Sequence, residues 1–149
     1  MNHKLSPTME DYLEVIYQLC KEDGLARVKH IASRLEVTNP SVVGAIRSLK
    51  QRKLVRQERY GYIRLTDSGL TLAAAVADRH EVVSNFLENI LGLDPETASR
   101  DACKIEHAIS KETVRRLRAV STYLQSERQL ERDWTEEFGR YYQERNARQ

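Results

Sequence analysis

The 149-residue sequence has few of the features that mark secreted and membrane proteins. It contains only two cysteines, Cys20 and Cys103, which are too few for a disulfide framework and predict free thiols in a reducing compartment. Its longest nearly apolar run, residues 70–77, is far too short to cross a bilayer. The N-terminus lacks the apolar core of a signal peptide. These absences predict a cytoplasmic protein with no membrane partner.

Proline is also scarce, and each of the three prolines stands where a helix is expected to begin. Pro7 lies between two possible capping residues, Ser6 and Thr8, and predicts a first helix over residues 7–20. Pro40 follows Thr38 and Asn39, either of which can cap a helix over about residues 40–52. Pro95 follows Asp94 in the same way. No repeat or low-complexity linker interrupts these predicted helices.

The front half of the chain combines a helix-turn-helix pattern with a basic hairpin. A short helix over about residues 28–35 precedes the helix that begins at Pro40, and residues 54–65 predict two strands around a turn at Tyr60 and Gly61. Residues 1–66 carry 12 Lys and Arg against 7 Asp and Glu, whereas residues 67–149 carry 12 against 15. A basic helix-turn-helix followed by a wing predicts DNA binding.

The residues expected to contact DNA lie at the polar start of the second helix, at its basic end and on the wing. Side chains at the start of such a helix face base edges, whereas basic side chains of the helix and wing neutralise phosphates. The predicted set is Thr38, Asn39, Pro40, Ser41, Arg47, Lys50 and Arg59.

A second cluster of chemically versatile residues lies in the back half. Cys103, Glu106 and His107 stand at i, i+3 and i+4, which on a helix places their Cβ atoms about 5 to 6 Å apart on one face. A single cation can contact all three. The same residues also fit a small buried thiol, a solvated carboxylate and a core histidine. Asp11 and Glu14 of the first helix are ambiguous too, because the helix dipole favours carboxylates near its N-terminus.

The overall pattern predicts a mainly α protein with two domains. Residues 1–70 form an N-terminal winged helix-turn-helix DNA-binding domain, and residues 71–149 form an all-helical metal-binding and dimerisation domain. A long helical pattern over about residues 68–91 is more apolar than a DNA-binding domain needs, which predicts packing against a second copy of the chain. The segment from Glu131 carries Trp134, Phe138, Tyr141 and Tyr142 at helical spacing and is expected to dock on another surface.

Three segments, together with the helix-turn-helix and wing, resemble the diphtheria toxin repressor family, and most closely its branch typified by the manganese transport regulator. They are Thr8-Met-Glu-Asp-Tyr-Leu-Glu14, Arg79-His80 and Asp101-Ala-Cys-Lys-Ile-Glu-His107. The resemblance extends to about residue 127. It implies a homodimeric, metal-activated repressor of metal-uptake genes that binds a palindromic operator in double-stranded DNA and is not an enzyme. The SH3-like third domain of the larger iron regulators is expected to be absent.

The resemblance also implies a ligand set, namely Asp11, Glu14, His80, Cys103, Glu106 and His107. Asp11 and Glu14 match the manganese branch, whereas Cys103 stands where that branch has a glutamate and matches the iron-responsive members. Carboxylates and imidazoles suit Mn²⁺ and Fe²⁺, and a thiolate adds affinity for Fe²⁺, Co²⁺ and Zn²⁺. We therefore expect Mn²⁺ as the cofactor, with Fe²⁺ as the alternative and Co²⁺ or Zn²⁺ able to bind in vitro.

Three other interpretations remain open on the sequence alone. A winged-helix regulator that senses an organic ligand predicts DNA affinity that does not change with metal. A thiol-based redox sensor requires an accessible Cys103 with a low pKa. A metallo-hydrolase requires an open coordination position and a general base, and leaves the basic wing without a purpose.

Overall fold

The computed structural model describes residues 5–126 and 133–147. The chain divides into two compact units, Met1–Ala77 (unit 1) and Asp78–Gln149 (unit 2), and the boundary between them falls inside a helix. The division at residues 70 and 71 that the sequence suggests stays a prediction. Glu131, from which the aromatic C-terminal segment is expected to start, lies outside the described residues.

Unit 1 begins with three helices whose starts are fixed by side-chain caps. They are α1 (Pro7–Asp23), α2 (Val28–Leu35) and α3 (Asn39–Gln51). Ser6 accepts a hydrogen bond from the Met9 N–H, and Thr38 accepts one from the Ser41 N–H, so each side chain satisfies a donor that the first turn leaves open. Gly24 ends α1 in the left-handed conformation, with φ of 75°.

A two-stranded wing follows α3. The strands β1 (Val55–Gln57) and β2 (Ile63–Leu65) pair antiparallel, and a 3₁₀ turn at Arg59–Gly61 joins them. The turn holds Tyr60 at φ of 64° and Gly61 at φ of 75°. On its other edge β2 exchanges two backbone hydrogen bonds with Ala26, which anchors the wing to the segment before α2.

Aliphatic side chains from all of these elements form the core of unit 1. On α3 the inward side chains are Val42, Ile46 and Leu49, which are at most 4% exposed. Each fully buried aliphatic side chain contributes about 1.5 to 3 kcal/mol through removal of apolar surface from water. The other large, fully buried apolar side chains of this core are Leu13, Ile16, Ile31 and Ile63.

The next helix, α4 (Asp67–Asn85), is anchored to the end of α3 by Thr66. The Thr66 hydroxyl accepts from the Gly69 N–H at 3.0 Å and lies 2.7 Å from the carbonyl oxygen of Lys53, to which it donates. A Cβ at Gly69 would overlap the carbonyl oxygen of Leu54. The helix can therefore pack this closely only because residue 69 is glycine.

In unit 2 the long helix changes its hydrogen-bonding pattern before it ends. The sequence predicts one helix over about residues 68–91, whereas α4 gives way to a π-helical segment, Phe86–Ile90. Within it the Leu91 N–H donates to the Phe86 carbonyl at 3.2 Å. Gly92, at φ of 70°, then turns the chain.

Three further helices complete unit 2. They are α5 (Pro95–Ile105), α6 (Lys111–Leu124) and α7 (Trp134–Asn146), and each packs against the π segment. Asp94 caps α5, as the sequence predicts, and Ser110 caps α6. None of the helices in the described ranges combines the length and apolar character needed to span a bilayer. The mainly helical class, with a winged helix-turn-helix followed by helices, is confirmed.

Candidate metal centre and nucleic-acid interface

The Cys103, Glu106 and His107 cluster lies at the end of α5 rather than within it. The helix ends at Ile105, so Glu106 is its C-cap and His107 belongs to the turn that follows. Glu106 keeps helical backbone angles and its N–H donates to the Ala102 carbonyl at 2.9 Å, which preserves the spacing to Cys103. Glu106 therefore keeps its helical spacing to Cys103, one residue past the end of α5.

His80 of α4 joins this cluster within unit 2. Its Nδ1 lies 2.7 Å from Glu106 Oε2 and 3.7 Å from Cys103 Sγ. His107 approaches the same carboxylate from the other side, with its Nε2 at 3.4 Å from Glu106 Oε1. The structure thus brings together two imidazoles, a thiol and a carboxylate that are separated by up to 27 positions in the sequence.

Burial distinguishes these four side chains from a surface ion pair. The Glu106 side chain is 0% exposed, that of His107 8% and that of His80 21%, whereas Cys103 is open to solvent. Glu106 Oε1 receives no hydrogen bond from any described residue, although His107 Nε2 lies 3.4 Å from it. A fully buried carboxylate oxygen without a donor is costly unless a cation compensates it.

A positive charge on His80 can compensate the Glu106 carboxylate without a cation. Its hydrogen bond with Cys103, and then that with Glu106, raise the pKa of His80 from 6.5 to about 10, against the opposing effect of burial. A proton on Nδ1 thus supplies positive charge beside the carboxylate. Metal ligation requires a neutral imidazole, so a cation that binds His80 displaces one of its two ring protons. A carboxylate, two imidazoles and a thiol fit a divalent transition metal.

The two ligands predicted on α1 belong to unit 1. Asp11 is half-buried and Glu14 is 7% exposed, and the Gln18 amide donates to Glu14 Oε1 at 3.3 Å. Glu10, which is not among the predicted site residues, is 5% exposed. A carboxylate in the first turn of a helix resembles an ordinary dipole-stabilising residue, so the sequence carries no signal of its burial. The metal-binding role of Asp11 and Glu14 stays a prediction.

The residues predicted to contact DNA are all exposed and lie in unit 1. Arg47 and Lys50 extend from the later turns of α3, and Arg59 lies in the turn of the wing. The Thr38 and Ser41 hydroxyls lie 2.9 Å apart and form the cap of α3. The complete set on this surface is Thr38, Asn39, Pro40, Ser41, Arg47, Lys50 and Arg59. Its contact with DNA stays a prediction.

The charges of the wing are partly compensated by one acidic residue. Glu58 lies 3.5 Å from Arg56 and 3.3 Å from Arg64, so both arginines are held on the strands. Arg59 makes no ion pair with another described residue and keeps its charge available for a phosphate. Arg27 stacks over the Tyr62 ring at 4.8 Å and donates to its hydroxyl, which ties the wing to the start of α2.

Family comparisons match both units. Residues 4–63 match the family model described as the N-terminal DNA-binding domain of iron dependent repressors, and residues 66–134 match the metal binding and dimerisation domain of the same proteins. The HTH-type transcriptional regulator MntR of Shouchella clausii is 38% identical over 120 residues, which are 80% of this chain and 83% of that protein.

Solved structures agree with this assignment. IdeR of T. acidophilum superposes with a TM-score of 0.69 at 30% identity, and a manganese-dependent transcriptional repressor complexed with manganese superposes with a TM-score of 0.70 at 32% identity. The matches cover 76% and 77% of this chain but only 54% and 53% of those longer proteins. The chain belongs to the iron dependent (diphtheria toxin) repressor family, and it is a metal-dependent, DNA-binding transcriptional repressor rather than an enzyme.

Proposed function

We propose that this chain is a cytoplasmic homodimer that represses metal-uptake genes by binding a palindromic operator when Mn²⁺ or Fe²⁺ is abundant. The observation that carries the proposal is the buried Glu106 carboxylate, which contacts two histidines and keeps one oxygen without a hydrogen-bond donor among the described residues, while the Cys103 thiol lies against one of these histidines. A bound divalent cation supplies the positive charge that lets these four side chains share one centre.

The proposed ligands in unit 2 are His80, Cys103, Glu106 and His107. Glu106 has a second task, because its Oε2 holds the His80 ring in place at 2.7 Å. The resemblance to the family supports Asp11 and Glu14 as the remaining ligands, contributed by α1 of the DNA-binding unit. A ligand set drawn from both units would make DNA affinity depend on occupancy, provided that the DNA-binding form of the protein holds the cation more tightly.

The choice between Mn²⁺ and Fe²⁺ depends on Cys103. Carboxylates and imidazoles satisfy either ion, whereas a thiolate in place of a carboxylate favours Fe²⁺ and later transition metals. Cys103 is exposed and lies 3.7 Å from His80, so its sulfur is free to turn toward a shared cation. We propose Mn²⁺ as the physiological effector, supported by the manganese-dependent repressor among the similar structures, with Fe²⁺ as the alternative.

Cobalt substitution tests the ligand assignment without reference to DNA. A Co²⁺–thiolate bond gives a charge-transfer absorption in the near ultraviolet, which carboxylate and imidazole ligands do not produce. Titration of the chain with Co²⁺ is expected to give this band at one equivalent, and Cys103→Ser is expected to abolish it. Cys20→Ser is the matched control, because the Cys20 thiol is half-buried and lies 3.7 Å from the Ile63 carbonyl. A band that survives in Cys103→Ser would contradict the assignment.

A response to thiol oxidation is the second candidate function. It is favoured by the exposure of Cys103, whose sulfur lies 3.7 Å from His80 Nδ1. Under this alternative, peroxide would change DNA affinity in the presence of a chelator, and Cys103→Ser would remove that change. If peroxide has no effect under chelation, whereas metal does, oxidation is not the signal.

A further inference from the structure

The outer face of α3, defined here as Pro40, Val43, Gly44 and Arg47, is unusual for a helix expected to bind DNA. These residues stand at i, i+3, i+4 and i+7, and all four are exposed. The opposite face of the helix is held in the core by four buried apolar side chains, so this orientation is fixed. The centre of the outer face therefore consists of an apolar side chain, Val43, next to Gly44, which has no side chain.

Val43 is the apolar member of this face, and it is 46% exposed. In the first helical turn the Thr38 hydroxyl accepts from the Ser41 N–H and pairs with the Ser41 hydroxyl at 2.9 Å. Each of these hydroxyls therefore uses part of its hydrogen-bonding capacity within the helix start. The side chains left to meet base edges near the middle of the helix are predominantly apolar.

Gly44 adds a second, independent observation. A Cβ built at this position meets no atom within 4 Å, and the backbone there is ordinary right-handed helix, so the fold does not require glycine. Glycine in a helix interior is less stable than alanine. The absence of a side chain allows the backbone of α3 to approach a ligand more closely beside Val43.

We propose that Val43 determines operator specificity by contacting the 5-methyl group of a thymine in the major groove, and that Gly44 permits the close approach this contact needs. The thymine methyl is the one apolar group that a base pair presents in the major groove, and apolar side chains recognise it. The inference rests on the proposed function, because it deepens the same DNA-binding activity.

Removal of single thymine methyl groups tests this contact. A duplex is selected from a random-sequence pool with the metal-loaded protein, and each thymine is then replaced by deoxyuridine in turn. One thymine in each half-site is expected to show about fourfold weaker binding when its methyl is absent, the loss that burial of one methylene-sized group implies. If no replacement weakens binding, or the selected duplex has no thymine facing α3, the inference is overturned.

Variants at Val43 assign the effect to this side chain. Val43→Ser removes both methyl groups at nearly unchanged helix propensity, and it is expected to bind the thymine and deoxyuridine duplexes equally. Val37→Ser is the matched control, because Val37 is an exposed valine of the same unit that precedes α3. It is expected to retain the fourfold preference. A preference that persists in Val43→Ser, or disappears in Val37→Ser, would place the contact elsewhere.

Gly44→Ala distinguishes an effect on DNA contact from an effect on stability, because the substitution is expected to stabilise the fold and to weaken DNA binding. Alanine is expected to raise the melting temperature by about 4 °C, because it favours the helix, while it weakens binding to the selected duplex severalfold. Unchanged or tighter binding would overturn the role of Gly44. If the wild-type protein selects no duplex in the presence of any metal, the proposed function itself fails. If it binds DNA in a metal-dependent manner but shows no methyl effect, only this inference fails.

Discussion

The two compact units of the chain differ in what fills their interiors. In unit 1 the largest fully buried side chains are all aliphatic, with Leu13, Ile16, Ile31, Leu49 and Ile63 among them. In unit 2 the largest fully buried side chain is the carboxylate Glu106, and Val83 is the other large side chain that is fully buried there.

Both units expose some large apolar or aromatic side chains. In unit 1 these are Val37, Val43, Tyr60 and Leu70, whereas in unit 2 five of them lie on α6 and α7, namely Val120, Tyr123, Trp134, Tyr141 and Tyr142. On α7 the Trp134 and Phe138 rings stack with their centroids 6.1 Å apart. Because unit 2 buries a carboxylate and matches the dimerisation domain of its family, we expect it to depend more than unit 1 on a cation and a second copy.

The largest expected effect comes from the close packing at the start of α4. Gly69→Ala places a methyl group against the Leu54 carbonyl. This overlap is not easily relieved, because the carbonyl belongs to the backbone and cannot move away as a flexible side chain can. We expect a loss of about 3 kcal/mol or more in the free energy of unfolding of unit 1, measured by urea denaturation. Gly139→Ala, in α7, is the matched control because its Cβ meets open space. An equally stable Gly69→Ala would show that unit 1 is less tightly packed than we describe.

Metal addition should distinguish the units next. At a concentration about one hundred times its Kd, a cation that binds only the folded state stabilises it by about 2.7 kcal/mol. Hydrogen exchange is expected to slow more in α5 and α6 than in α2 and α3. Glu106→Gln should abolish this protection, whereas Glu112→Gln, at an exposed position of α6, should retain it. If metal slows hydrogen exchange equally in all four helices, the two units do not differ in their dependence on a cation.

Protein concentration provides the third test. If unfolding of unit 2 requires dissociation of the dimer, each tenfold increase in concentration raises the free energy of unfolding by about 1.4 kcal/mol. The transition of unit 1 is expected to stay constant. Denaturation followed by Trp134 fluorescence reports unit 2, because this is the single tryptophan of the chain. A Trp134 transition that does not depend on concentration would contradict our description of unit 2.

Surface ion pairs should have the smallest effect and should not distinguish the units. Arg118 donates from Nη2 to both oxygens of Asp78 at 2.7 Å, but both side chains are about half exposed. A double-mutant cycle on this pair is expected to give about 0.5 kcal/mol. A coupling several times larger would mean that unit 2 relies on surface charge rather than on its buried centre.

Helix starts were predictable from the sequence, because local side-chain chemistry determines them. Ser6, Thr38 and Asp94 each accept a hydrogen bond from the N–H three residues later, and the sequence predicts each of them as a possible cap. Helix ends were less predictable. α1 continues to Asp23, three residues beyond its expected end, because the left-handed Gly24 rather than the last apolar residue terminates it.

Features that depend on tertiary packing could not be predicted. The π segment and the end of α5 at Ile105 have no local sequence signal. Spacing alone placed Cys103, Glu106 and His107 near one another, but it could not show that Glu106 is fully buried or that His80 lies 2.7 Å from it. His80 entered the candidate set only through the resemblance to a family.

The measurement that tests the central claim most directly is DNA affinity by fluorescence anisotropy, compared for the wild-type chain and Glu106→Gln with chelator and with Mn²⁺ at fixed salt. For the wild type we predict that Mn²⁺ tightens binding at least tenfold, about 1.4 kcal/mol of coupling between the two sites. For Glu106→Gln we predict equal, weak binding under both conditions. If Mn²⁺ tightens binding of both proteins equally, or of neither while Fe²⁺ is also without effect, the buried Glu106 centre does not control DNA binding.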